Sequence, residues 1–273
     1  MTLNSKNIET NKHIELSIQI SLNGLSFCIL ENDTQTISFL KRITFSKKQN
    51  PFELLEQLKG IFISEKALHA DFNKVTLIHV NELATLVPET LFNENCLSDY
   101  LKFNAKILKS DFIAFDSIKS NNSVNVYVPY VNINNYIYEK FGAFNYKHFS
   151  TVLIENLLLE EKNNTNAKMF VHVETTHFEI IVVQQGQLVL YNSFEFKTKE
   201  DFIYYILFTA EQLNLTPDTL QLVLLGLINA NDTLYNIAYK YIRHVHIYNK
   251  TYKYKYSTPT NTNHSNYALT HSF

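Results

Sequence analysis

The chain is short of glycine, proline, cysteine and arginine, and it has no tryptophan. Five glycines stand where average usage of ~7% would place roughly 19 in a chain of this length. Loops that cradle phosphate need glycine, because the backbone must approach the ligand closely and take positive φ. Few such loops fit here. Two cysteines cannot build a disulfide framework, which points to a reducing compartment. Arginine occurs only at Arg42 and Arg243 beside abundant lysine, asparagine, isoleucine, tyrosine and phenylalanine. That bias reads as a property of overall composition, so no function is argued from lysine or asparagine richness. Charge of one sign is also lacking. Lys+Arg 24 against Asp+Glu 26 gives a net charge of -2, which excludes a basic nucleic-acid binder by bulk electrostatics. The longest apolar run, Leu222 to Ile228, is broken by Gly226 and falls short of the ~20 residues of a membrane span. The polar opening Met1-Thr2-Leu3-Asn4-Ser5-Lys6 does not read as a secretory leader. A soluble cytoplasmic protein is the expectation.

What is present is a core. Hydrophobic residues make up 45% of the 273 residues, enough for one large domain or two ordinary ones. Leu16, Ile18 and Ile20 alternate with polar residues as in a strand. Asn23-Gly24 signals a hairpin. Leu25 to Leu30 returns, Asn32-Asp33 turns, and Thr36 to Phe45 is a third strand. Pro51 opens a helix with Phe52, Leu55, Leu58 and Phe62 at helical spacing. Val75 to Val80 is a compact, buried type of strand.

The same order returns later. Met169 to Val173, Phe178 to Val183 and Leu188 to Phe196 read as strands, the last two joined by Gln185-Gly186. Thr198 caps a helix to about Leu213, which Pro217-Asp218 follows. Leu220 to Leu225 is a strand, Asn231 or Asp232 starts a helix to about Tyr241, and Val245 to Tyr248 closes. The two meanders superpose without a gap: Ile18 on Val171, Ile20 on Val173, Leu25 on Phe178, Phe27 on Ile180, Ile29 on Val182. Ser21 then falls on Glu174. Two copies of a βββαβαβ unit signal a duplicated α/β fold with two lobes around a cleft.

Residues 1–162 form the first lobe of this reading, with an insertion at about 82–130. There Glu82 to Val87 is a strand, Pro88 to Asn104 a helix, and Phe112 to Ile118 with Val124 to Val128 a hairpin around Asn121-Asn122. Ile133 to Phe141 is a helix ending at Gly142. Phe144 to Phe149 is a strand, and Val152 to Leu159 a largely buried helix. Residues 163–273 form the second lobe, with a flexible polar tail from about 257.

Tandem βββαβαβ units resemble the actin-like ATPase (ribonuclease H-like) fold of actin, the Hsp70 ATPase domain, sugar kinases and actin-like proteins of type IV pilus assembly. The stretch Phe170-Val171-His172-Val173-Glu174-Thr175-Thr176-His177-Phe178-Glu179-Ile180-Ile181-Val182-Val183-Gln184-Gln185-Gly186 resembles the start of the second half in the pilus-assembly members. In length and element order the chain also resembles the domain-of-unknown-function family numbered 3822. The resemblance implies that each lobe's first hairpin would carry an Asp-x-Gly type phosphate loop around ATP and Mg²⁺. At the first loop Ser21-Leu22-Asn23-Gly24 stands without a carboxylate at its head. At the second, Glu174-Thr175-Thr176-His177 has a carboxylate and no glycine. The adenosine element, with paired glycines in the fold, is reduced to Gly226-Leu227-Ile228-Asn229. Ser21, Asn23, Gly24, Glu174, Thr175, Thr176 and Gly226 are therefore the cofactor-binding candidates if nucleotide binds, and the degraded motifs weigh against hydrolysis.

Each singled-out residue also has a plainer reading. Glu174 is either a relic of a metal-water carboxylate or an exposed strand-end residue. Gly24 and Gly186 serve hairpin turns. Gly226 marks a close backbone approach or the lining of a cleft. His244 and His246 share a strand face, as do His172 and Glu174, but no third ligand stands at zinc spacing, so no metal site is assigned. Cys28 reads as a small core residue, and Cys96 has no CxxC neighbour. No GxSxG, GxxxxGK[ST] or HExxH motif occurs. The run Tyr248 to Tyr256 alternates tyrosine and lysine. It reads as an edge strand guarded by lysines, or as an aromatic platform or partner edge. Three functions remain: a non-catalytic binding or scaffold protein with an unidentified protein partner; an ATPase or kinase using the interlobe cleft, with Glu174 facing Mg²⁺; or an accessory protein touching RNA or a membrane surface through the Tyr/Lys strand.

Overall fold

The computed structural model describes residues 13–249, 253–257 and 263–273. The first lobe opens with a meander, β1 (Ile14–Ser21), β2 (Gly24–Glu31) and β3 (Thr36–Thr44), followed by α1 (Pro51–Ser64) and β4 (Lys74–His79). An inserted segment carries β5 (Ala84–Pro88), α2 (Leu97–Leu101), β6 (Ala114–Ile118) and β7 (Ser123–Tyr127). The lobe closes with α3 (Val131–Phe141), β8 (Asn145–His148) and α4 (Phe149–Glu161). The second lobe repeats the order with β9 (Lys168–Val173), β10 (His177–Gln184), β11 (Gln187–Glu195), α5 (Lys199–Gln212), β12 (Gln221–Gly226), α6 (Thr233–Tyr241) and β13 (His244–Ile247). The chain ends in β14 (Lys255–Tyr256) and α7 (Tyr267–Thr270).

The duplication holds at the level of sheet order. The first sheet runs β14-β3-β2-β1-β4-β8, the second β11-β10-β9-β12-β13, and the insertion forms its own sheet, β5-β7-β6. In both lobes the meander is antiparallel and the later strands join in parallel. Parallel strands need helical crossovers, and the crossovers cover the sheet faces. Both first helices begin with the same device. Asn50 caps α1 with Glu53 reaching back, and Thr198 caps α5 with Asp201 reaching back. Each helix buries one stripe against its own sheet: Leu54, Leu58 and Phe62 in the first lobe, Phe202, Ile206 and Ala210 in the second.

The helix α4 is different. Most of its length is buried, including Phe149, Val152, Leu153, Ile154, Leu157 and Leu158, while Leu159 is exposed. It packs in one cluster with Ile78 of the first sheet and with Phe170, Ile181 and Val183 of the second. This helix is the seam between the lobes. Each such side chain taken from water stabilises by roughly 1.5–3 kcal/mol.

Two expectations need correction. Pro88 to Asn104 is not one helix: Pro88 ends β5, two short 3₁₀ turns follow, and only Leu97–Leu101 is α-helical. Leu97 and Leu101 pack onto Val87, Val124 and Val126 of the small sheet, which a single long helix would carry away from it. The tail is not a loose polar end. Tyr267, Ala268 and Leu269 are buried at 1% exposure or less, and α7 lies against α4. The tail also touches both lobes: β14 adds to the edge of β3, Ser272 bonds Ser17, and the His264 ring bonds the carbonyl of Ile228 at 2.7 Å. The Tyr/Lys run contributes an edge strand, β14, as one of its readings expects. Tyr248 and Tyr254 are buried, and Tyr248 donates to Glu160. Residues 250–252 of the run lie outside the described residues. Among the described residues no helix is long and apolar enough to cross a membrane.

Candidate functional site

The two first hairpins point their tips at each other across the cleft. The first tip is tight: Ser21 pairs with Gly24, so the turn itself is Leu22-Asn23. Ser21 Oγ accepts from the Asn23 N–H at 3.2 Å and donates to the Gly24 carbonyl. Gly24 is therefore a strand residue rather than a turn residue. Its missing side chain is needed for another reason, since a Cβ there would lie 2.4 Å from the carbonyl oxygen of Ile43 on β3. The second tip, Glu174 to His177, closes with the Glu174 N–H bonded to the His177 carbonyl at 2.9 Å.

Between the tips the decisive contact is an ion pair. Arg42 on β3 donates to the Glu174 carboxylate, joining the lobes. Their side chains are 27% and 12% exposed, so the pair is largely shielded from solvent. The space beside it, lined by Ser21, Asn23, Gly24, Thr175 and His177, is a cavity of about 30 Å³. That has room for a water or two. The adjoining cleft, bounded by Val80, Tyr130, His148, Thr176 and Glu179, holds about 80 Å³. Small-molecule pockets of about 300–1,000 Å³ are several times larger.

Behind the second tip lies a group that sequence reading missed. Glu179 is buried on β10, with His172 Nδ1 at 2.9 Å and His177 Nε2 at 3.2 Å from its two oxygens. Burial alone would raise this carboxyl; the hydrogen bonds from His172 and His177 outweigh it and pull the group down to about 2. Burial alone would lower the His177 imidazole; its bond to Glu179 and the charges of Glu179, Glu174 and Glu82 raise it instead. His172 was paired with Glu174 by spacing, yet it bonds Glu179. Alternation showed which residues share a face of β9, but not which neighbour on β10 each one meets.

Two further histidines are held neutral. His79, at the end of β4, accepts the Tyr130 N–H on Nδ1 and donates from Nε2 to Asn134. His148 accepts the Ser150 N–H on Nδ1 and donates from Nε2 to the Asn81 carbonyl. Burial pushes them down to about 3 and about 4. His79 occupies in the first sheet the register place that Gly226 has in the second. Gly226 itself sits at φ +88, and a Cβ would lie 2.3 Å from the Val173 carbonyl oxygen. Its glycine character serves the approach of β12 to β9. His244 and His246 stand on β13, the edge strand of the second sheet. Cys28 is buried in the first lobe, and burial pushes its thiol far up.

The structure thus brings Ser21, Asn23, Gly24, Glu174 and Thr175 around one small cavity, with Thr176 beside it, and leaves Gly226 out of it. Two larger and more open concavities lie beyond it. A groove of about 890 Å³ runs between the edge strands β8 and β6, alongside α4 and the C-terminal Phe273. A second cavity of about 630 Å³ opens at the cleft mouth.

Comparison with known proteins agrees with this architecture. The family described as Protein of unknown function (DUF3822) matches residues 3–245. A solved Bacteroides thetaiotaomicron protein, described as having an actin-like ATPase fold and unknown function, is similar at 26% identity with a TM-score of 0.73, over 87% of this chain and 91% of that one. A PilM-PilN type IV pilus biogenesis complex is similar at 10% identity and TM-score 0.54, over 89% and 90%. The ethanolamine utilization protein EutJ from Carboxydothermus hydrogenoformans is similar at 7% identity and TM-score 0.52, over 94% and 88%. At such identities the last two likenesses concern the fold alone. No curated protein matches the chain.

Proposed function

The chain belongs to the family described as Protein of unknown function (DUF3822), and from that premise we propose that it is a non-catalytic binding or scaffold protein on an actin-like fold. The observation that carries this reading is the Arg42–Glu174 pair. A carboxylate that positions Mg²⁺ must offer its charge to the ion. Here the charge is already met by a guanidinium from the opposite lobe. The first tip has no carboxylate to replace it, and the place of Gly226 is filled by the backbone of β9. The residues present do not fit magnesium-nucleotide.

A protein partner suits the rest of the surface. Edge strands β8 and β6 flank a groove of about 890 Å³, and a sheet edge offers unpaired backbone groups for an added strand. The similar PilM fold was solved in complex with PilN, which supports partner binding by analogy of fold. Two free cysteines, Cys28 and Cys96, support a reducing compartment such as the cytoplasm. Burial of Tyr248 and Tyr254 weighs against the RNA or membrane-surface reading.

Thermal unfolding with and without excess Mg·ATP tests the proposal. A ligand at 100 times its Kd adds about 2.7 kcal/mol and raises Tm by several degrees. No shift and no phosphate release are expected. A clear shift that Glu174→Ala abolishes would overturn the reading in favour of an ATPase.

A further inference from the structure

We propose that the C-terminal tail beyond β13 is a strap that sets the angle between the two lobes, and that its release is the step that opens the cleft. Two-lobed clefts commonly close around a ligand that bridges them. Here the spaces of about 30 and 80 Å³ between the lobes are too small for such a bridge. Closure is carried by the chain itself. The Arg42–Glu174 pair is one link, and the tail supplies a set of others.

On the first lobe the tail is anchored to an edge and a face. The Lys255 N–H bonds the Gln35 carbonyl at 2.9 Å and the Ser257 N–H bonds the Ile37 carbonyl at 3.0 Å, which seats β14 along β3. Leu269 packs with Cys28 and Leu30, on the sheet face opposite the one where Phe27 and Ile29 meet α1. Ser272 and Ser17 hydroxyls lie 2.7 Å apart. On the second lobe the His264 ring bonds the Ile228 carbonyl at 2.7 Å, just past the end of β12. Tyr267 meets Tyr248 edge-on, with ring centroids 5.2 Å apart, just past the end of β13. Tyr267 also shares a buried cluster with Phe170, Ile181 and Leu225 of the second sheet. Between the lobes the tail follows the seam helix. Tyr267 donates to Glu160 at 2.7 Å, and Asn156 donates to the His271 carbonyl at 3.2 Å.

The cores show why this is a strap rather than a part of either lobe. The cluster under α1 and α3 contains no tail residue, and neither does the cluster under α5 and α6. Each lobe therefore closes its main core without the tail. Tail side chains enter only the cluster at the seam and the one on the outer face of the first sheet. The anchors are also short: β14 has two residues and α7 has four. A helix of that length has no stability of its own and holds only while its side chains are docked. Segments that move as units are drawn from such weakly held elements. Detaching one anchor frees a lobe while its sheet and covering helices stay intact.

The test measures the separation of the lobes in the full chain. Spin labels at Glu56→Cys on α1 and Glu211→Cys on α5, both exposed, report it by pulsed electron resonance. The background carries Cys96→Ser, and Cys28 is buried away from the label. One narrow distance distribution is expected for this parent. His264→Ala cuts the bond to the second lobe and should make the distribution about twice as wide or more, or add a longer distance. Leu269→Ala removes the apolar anchor on the first lobe and should do the same. Ile137→Val, a small change in the fully buried core beneath α3, is the control for general loosening. An unchanged distribution in His264→Ala overturns the proposal, whether or not Leu269→Ala folds. So does an equal broadening in Ile137→Val, and so does a distribution already broad in the parent. These outcomes are read without nucleotide, so the non-catalytic reading keeps its own test with Mg·ATP.

Discussion

Arg42 of the first lobe and Glu174 of the second, 132 residues apart in the chain, form one ion pair across the cleft. Removing one partner of a shielded pair leaves the other uncompensated. A fully buried case costs 3–5 kcal/mol, and partial exposure here reduces that to about 1–3 kcal/mol. Arg42→Ala is expected to lower Tm by several degrees, at roughly 2–4 °C per kcal/mol for a chain of this size. The double variant Arg42→Ala/Glu174→Ala should lose less than the sum of the singles in urea melts. Additive losses would show that the pair contributes nothing across the cleft.

Two glycines should respond to the same substitution with opposite signs. Gly226→Ala places a Cβ 2.3 Å from the Val173 carbonyl oxygen at φ +88, and is expected to cost about 2 kcal/mol or more. Gly60 lies exposed within α1, and a Cβ there meets nothing within 4 Å. Gly60→Ala should stabilise by about 0.5–1 kcal/mol. Denaturant midpoints read both. A harmless Gly226→Ala would show that β12 and β9 do not approach so closely.

Stability should fall as pH drops from about 6.5 to about 4. Unfolded histidine takes up a proton near pH 6.5. The folded rings of His79 and His148 refuse it until about 3 and about 4, because burial and an N–H bonded to each Nδ1 exclude a second proton. The unfolded state therefore binds more protons in this window and gains on acidification. The effect is on the order of 2 kcal/mol per ring by pH 4.5. His177 works the other way: its raised value adds stability at low pH that is lost as pH rises through it. Glu179 stabilises above the ordinary carboxylate range and loses this only as pH falls toward about 2. Urea midpoints between pH 7 and 4.5 should slope accordingly, with a shallower slope in His79→Gln. A flat profile would mean that the two rings are charged in the fold.

The tail should behave as core. Leu269 is fully buried against Cys28, Leu30 and Ile37 of the first lobe. Leu269→Ala is expected to cost about 2–5 kcal/mol, as for other buried leucines. A loss under half a kcal/mol, within the range of surface substitutions, would show the tail detached in solution.

Much of this molecule was open to reading residue by residue. Alternation in β1 and β9, the helical stripe on α1, the capping of α5 by Thr198 and the turn at Gln185-Gly186 all depend on residues a few places apart. So did the repeat, since Ile18 and Val171, or Leu25 and Phe178, lie at the same register in two sheets of one order. Such local patterns settled a duplicated α/β fold with a cleft between lobes, and the scarcity of glycine already weakened its phosphate loops.

The tertiary structure decided what the cleft holds. Nothing near Arg42 in sequence announces Glu174, and nothing near His172 announces Glu179, because both contacts are made when separately formed strands are set side by side. The tail misled for the same reason. Tyr267, Ala268 and Leu269 are too few to show a helical period, and their burial comes wholly from the place that α4 and the first sheet leave for them. Period and composition report how a segment wants to fold, while the pairing of distant side chains follows from how the folded segments pack.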